Sequence, residues 1–217
     1  MSKNRTEEDE YQETRKKYPR VDFKGHLFFE ICRDAYKSFK DNKRKLERLL
    51  EEQKQPRADN VSLFLDIEEC KEKINKHEAV SITFAGMCLE ACIWDYAACK
   101  TSQNYTKKYL ERLSFVARWV VIPELICDSN ITDTTIDGTN LLGILRNLQK
   151  ARNALVHSKS KPKPHTIDKY LKMLSVEGEI AAEDAFNLIK LLLVELEKVD
   201  NTNWWFFQTA YYRHSIK

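Results

Sequence analysis

From Phe23 to about Gln55 apolar residues return at helical intervals, through Leu27, Phe28, Ile31, Ala35, Phe39, Leu46, Leu49 and Leu50, with charged residues between them. That period predicts one long amphipathic helix. The stretch from Gln53 to Asn60, with Pro56 inside it, ends the helix. A shorter helix is expected from about Ser62 to Lys76, followed by a strongly apolar one from about Glu78 to Lys100. Thr101-Ser-Gln-Asn-Tyr is a polar break that supplies an N-cap. One or two helices then cover about Thr106 to Cys127, with Pro123 as a kink or a first-turn residue. Residues 127–140 are rich in Asp, Asn and Thr and read as a loop. The next helix is expected from about Thr139 to Ser158, stopped by Lys159-Ser-Lys-Pro-Lys-Pro. Two more are expected near Ile167–Leu174 and Ala182–Val199. The first 20 or so residues are charged and weakly helical at most, and the last 17 are strongly aromatic. The fold class predicted is all-α, a bundle of four to six helices with an N-terminal helical extension.

Composition narrows this without changing it. Five Gly and five Pro in 217 residues disfavour a turn-rich sandwich or barrel. Charged residues make up 32 % of the chain, but a net charge of +3 is too small to assign a nucleic-acid partner by itself. The N-terminus shows neither the apolar core of an export signal nor the acid-poor composition of a transit sequence. A cytoplasmic location with reduced thiols is the expectation. The segment from Ala79 to Cys99 approaches the length of a membrane span but carries Glu90 and Asp95, so it reads as a buried helix with no membrane partner. Cys88, Cys92 and Cys99 share one side of that helix. With no Cys-x-x-Cys pair and no His at ligand spacing, they read as core thiols, and neither metal nor cofactor is expected.

The chemistry concentrates in the helix beginning near Thr139. On a helical projection Leu141, Ile144, Leu145, Leu148, Ala151, Leu155 and Val156 form one apolar face, and Arg152 projects into it. A guanidinium there needs a carboxylate or an opening to solvent, because an unpaired buried charge is very costly. Glu90 and Asp95 are the candidate partners for a supporting ion pair. Arg146, Asn153 and His157 form a second polar row along the flank.

Arg152-Asn153-Ala-Leu-Val-His157 resembles the Arg-x(4–6)-His signature of the HEPN superfamily, with its polar residue directly after the Arg. The resemblance includes the apolar helix Met87-Cys-Leu-Glu-Ala-Cys-Ile-Trp-Asp-Tyr and covers about residues 79–200. The N-terminal charged segment and long amphipathic helix over 1–58 match no family, and 59–217 is expected to form a HEPN-like bundle with an aromatic tail. The resemblance implies such a bundle. It also implies a homodimer that sets two motifs around a shared cleft, and a metal-independent endoribonuclease of toxin–antitoxin, stress or antiviral defence systems. His157 would be the general base or acid, Arg152 would neutralise the charge building on the phosphate, and Asn153 would hold a phosphate oxygen or orient the imidazole. The product would carry a 2′,3′-cyclic phosphate. RNA and an antitoxin or regulatory protein are the partners implied. Two family features are missing: the Tyr two places after the motif His, where Lys159 stands, and a nucleotidyltransferase domain.

Other readings compete. Arg152 could be a core arginine paired with Glu90 while His157 caps its helix, leaving a non-catalytic module that binds RNA, a nucleotide or a protein. Lys159, Lys161 and Lys163 alternate with Ser and Pro and could track a phosphate backbone or form a solvated loop. The tail aromatics, Trp204 to Tyr212, could stack on bases, but docking on the core or on a partner is the better reading.

Overall fold

The computed structural model describes residues 24–54, 60–129, 131, 135–136, 139–156 and 180–200. The expected helix near Ile167–Leu174, the lysines 159, 161 and 163, His157 and the aromatic tail lie outside the described residues.

Helices account for almost all of what is described. They are α1 (Lys24–Gln53), α2 (Asn60–Lys100), α3 (Phe115–Cys127), α4 (Leu141–Val156) and α5 (Ala182–Val199). Between α2 and α3 lie one helical turn, Gln103–Tyr105, and a π-helical turn, Thr106–Leu110. The coarse expectation of an all-α chain holds. One departure is a minimal antiparallel ladder, β1 (Thr135–Ile136) with β2 (Thr139–Asn140), paired Thr135 to Asn140 and Ile136 to Thr139. Asp137-Gly138, which separates the strands in sequence, is one of the dipeptides that favour a tight hairpin, a signal hidden inside what reads as a polar loop.

The two helices expected over 62–100 are one helix of 41 residues. Its apolar pattern changes partway along. Leu63, Ile67 and Cys70 are buried on one face, whereas from Ser81 to Cys99 most positions are buried whatever their direction. That change mimics a boundary, yet Lys76-His77-Glu78 contains no helix breaker, so the backbone runs through. By length and composition α2 could cross a membrane, and 67 % of its apolar window is covered by the fold itself.

Packing divides the chain into two compact units whose limits run through α1, α2, α4 and α5. In the unit drawn from Glu30–Gly86 and Gly143–Leu188, α1 and α2 run antiparallel. The Cys32 thiol donates to the Ser81 carbonyl at 3.4 Å and the Cys70 thiol to that of Asn42 at 3.1 Å. The stripe α1 buries here is Cys32, Ala35, Tyr36 and Phe39, and Tyr36 stacks on Phe186 of α5 with ring centroids 4.7 Å apart. Leu27 and Leu50, expected in that stripe, are exposed.

In the other unit, α3 starts at Ser114, whose hydroxyl accepts the Ala117 N–H, and ends at Asp128, a left-handed residue with φ of 51°. Pro123 lies in the interior of α3 and not in its first turn. The unit closes on a buried polar cluster. Tyr96 OH donates to Asp200 Oδ2 at 2.7 Å, Lys100 Nζ reaches the same oxygen at 2.8 Å, and Cys127 Sγ lies 3.3 Å from the phenol. Asp200, only 4 % exposed, ends α5 on this cluster.

Tyr96→Phe removes a donor and leaves a buried carboxylate under-satisfied. It should destabilise the protein by about 1–3 kcal/mol in urea unfolding, with an unchanged denaturant slope. Burial also pushes the Cys32 thiol up to about 12, against the opposing hydrogen bond from Ser81. The stabilisation linked to its protonated form is complete below the ordinary thiol value of 9.0 and is lost as pH rises toward 12. Unfolding free energy should therefore fall with pH above 9.0, and Cys32→Ala should flatten that slope.

Candidate active site

Helix α4 is set at its start by Asn140, whose Oδ1 accepts the Leu142 N–H at 2.9 Å, an Asx N-cap. Leu141, Leu145, Leu148 and Ala151 are buried, as the projection predicts, while Ile144 is half-buried and Leu142, outside the projected face, is buried too. The face does not stay buried to the end: Leu155 is half-buried and Val156 is 47 % exposed. The last turn of the helix thus emerges from the core, and Arg152 sits where it does so, half-buried. Arg146 and Asn153, seven residues apart on the flank, are both exposed. His157 follows Val156 in sequence, and its placement lies outside the described residues.

What seats Arg152 is a residue that sequence reasoning missed. Gly86 lies inside α2, where a glycine costs roughly 0.5–1 kcal/mol relative to alanine. A Cβ built on Gly86 would meet Arg152 Cδ at 2.7 Å and Cγ at 3.6 Å. The missing side chain is therefore the groove in which the arginine stem lies, and the stem is laid against α2 backbone where a larger residue would displace it. An isolated glycine in an otherwise strong helical pattern is the signal that could have pointed here.

The two expected carboxylates have different surroundings. Glu90 Oε1 accepts from Arg118 Nη1 at 3.2 Å, and Arg118 Nη2 donates to the Glu111 carbonyl at 2.9 Å. Arg118 is the only cation of α3, its side chain is 12 % exposed, and its guanidinium lies 6.0 Å from the centre of the Trp94 ring. It is a second half-hidden arginine that the apolar run of α3 disguised. Asp95 is buried, and its charge adds to burial in raising the Cys99 thiol to about 12, with Lys100 opposing.

Cys88, Cys92 and Cys99 are all buried, with the Cys88 and Cys92 sulfurs 3.9 Å apart. Among the described residues no group of three or more His, Cys, Asp or Glu side chains is arranged to hold a metal ion. Compared with family models, with curated proteins and with solved structures, the chain matches none.

The Gly86 groove generates a double-mutant test. Gly86→Ala in an Arg152→Ala background should stabilise by about 0.5–1 kcal/mol, the ordinary helical gain. In the parent chain the same change should give no gain or a loss, because the new methyl must displace the arginine stem. Equal effects in the two backgrounds, measured by urea unfolding, would show that the stem is not seated there.

Proposed function

We propose that the chain is a metal-independent endoribonuclease of HEPN type, with Arg152 and His157 as its catalytic pair and Asn153 beside them. The observation that carries this reading is the seat of Arg152: a half-buried guanidinium stem held against Gly86 at the point where α4 leaves the core, next to exposed Asn153. An arginine held this way is positioned before substrate arrives, which is what electrostatic stabilisation of a developing charge requires.

RNA supplies its own nucleophile. The 2′-oxygen attacks the adjacent phosphorus, the O2′–P bond forms, the P–O5′ bond breaks, and the proton lost at O2′ is matched by one delivered to O5′. His157 serves one of these proton transfers, since imidazole titrates near neutral pH. Arg152 pairs with the non-bridging oxygens as charge accumulates on them. The products are a 2′,3′-cyclic phosphate and a 5′-hydroxyl.

On an ideal helix residues 152 and 157 are offset by about 140° around the axis and about 7.5 Å along it. A cleft that receives both is supplied most simply by a two-fold pair of chains, so the reading includes a homodimer with a composite site. Arg146 and the lysines 159, 161 and 163 are assigned to phosphate contacts outside the reacting centre. A role in toxin–antitoxin, stress or antiviral defence, an antitoxin or regulatory partner and a cytoplasmic location all come with the resemblance.

The test is cleavage of end-labelled single-stranded RNA in EDTA. The parent should give cyclic-phosphate ends, and Arg152→Ala and His157→Ala should each slow cleavage by about 10²- to 10⁴-fold. RNA that is bound and left intact by the parent would instead identify a non-catalytic binding module. Light scattering of the active protein should return a dimer.

A further inference from the structure

The connection between α2 and α3 projects aromatic side chains into water on an unusual piece of backbone. The Ser102 hydroxyl accepts the Tyr105 N–H at 3.1 Å and caps the turn Gln103–Tyr105, which passes directly into the π-helical turn Thr106–Leu110. The Glu111 N–H donates to the Thr106 carbonyl at 3.1 Å, the bond between residues five apart that defines that turn. Two side chains anchor the segment. Thr106 is fully buried, its hydroxyl donating to the Ser102 carbonyl at 2.9 Å, and Leu110 is buried as well.

The rest of the turn faces solvent. Tyr105 is 39 % and Tyr109 53 % exposed, with ring centroids 4.9 Å apart and planes inclined by 48°. Lys108 Nζ lies 5.0 Å from the centre of the Tyr109 ring, and Lys107 and Arg112 are exposed close by in sequence. Over residues 103–112 the three basic side chains face one acidic residue, Glu111, a local net charge of +2 by that count.

Large rings held together outside the core, on a backbone form that is rare and concentrated at functional sites, call for an occupant. Two tyrosines interleaved with lysines fit nucleobases joined by phosphates. Rings stack on any base, and the cations neutralise the backbone. The bases must be unpaired, because a duplex keeps its base faces stacked internally. A hydrophobic protein surface fits less well, since the neighbours of the tyrosines are Gln103, Asn104, Lys107 and Lys108 in place of an apolar rim.

We propose that the turn Tyr105–Tyr109 is a stacking platform for single-stranded RNA. This deepens the ribonuclease reading by naming the form of RNA engaged, and it rests on that reading only for what happens after binding. The full-length chain carrying Arg152→Ala, which leaves RNA intact for measurement, is titrated into a fluorescein-labelled 12-nucleotide uridine-rich RNA in EDTA and followed by anisotropy.

In that background Tyr105→Ala and Tyr109→Ala should each weaken binding by about 5- to 100-fold, the range of one lost base–aromatic stack. Tyr109→Phe, which keeps the ring, should stay within about twofold. Lys108→Gln should lower affinity and make the salt dependence shallower, by about one phosphate contact. The same oligonucleotide annealed to its complement should bind at least about tenfold more weakly.

Unchanged affinity in the Tyr105→Ala/Tyr109→Ala double variant, with a parental circular dichroism spectrum, overturns the platform, as does tighter binding of the duplex or no binding of RNA at all. The two proposals fail separately. A parent chain that binds through the tyrosines but never cuts loses only the nuclease. A chain that cuts, with affinity indifferent to both tyrosines, loses only the platform.

Discussion

Over the last five turns of α2 there is almost no solvent face, and the arrangement of the chain answers to that constraint. A helix apolar on every side must be surrounded, because exposing any of its stripes leaves unfavourable apolar surface in water. Small residues make a close approach possible: Ala85, Gly86, Ala97 and Ala98 alternate with Ile82, Leu89, Ile93 and Tyr96, and all are buried. The thiols of Cys88, Cys92 and Cys99 fill the intervening space as compact hydrophobes, which is why burial keeps Cys99 protonated.

Several of the few polar groups on this helix reach other segments of the chain. Ser81 lies under the Cys32 thiol, Glu90 meets Arg118, and Tyr96 and Lys100 converge on Asp200. Each joins α2 to a different segment of the chain, so each specifies a register that apolar packing alone leaves loosely defined. Gly86 performs a similar task by omission, giving the Arg152 stem a bed that no other residue type would leave.

Much of this could be read from the residues, and the exceptions have physical causes. The limits of α1 and α5 follow from clean amphipathic periods, and Leu141, Leu145 and Leu148 of α4 are buried where the projection puts them. The pattern over 62–100 reads as two helices because a change in burial looks like a change in backbone, yet at Lys76-His77-Glu78 the helix runs through. Pro123 reads as a kink or a first-turn residue because its missing N–H suits either place, and α3 carries it internally. The π-helical turn could not be anticipated, since Thr-Lys-Lys-Tyr-Leu is equally suited to an α-turn. At the candidate site, the half-buried arginine and its exposed flank were legible from periodicity. Gly86 and Arg118 were not, because their roles depend on which helix lies against which.

The ion-paired end of α5 has a consequence for how the molecule opens. Terminal turns of helices ordinarily fray, and their amides exchange with solvent far faster than the interior. Here Asp200 is clamped by a phenol and an ammonium one residue beyond the last turn, and its own N–H donates to Leu196. The carboxyl end of α5 is thereby tied to α2, and deuterium uptake in its last turn should follow global unfolding instead of local breathing.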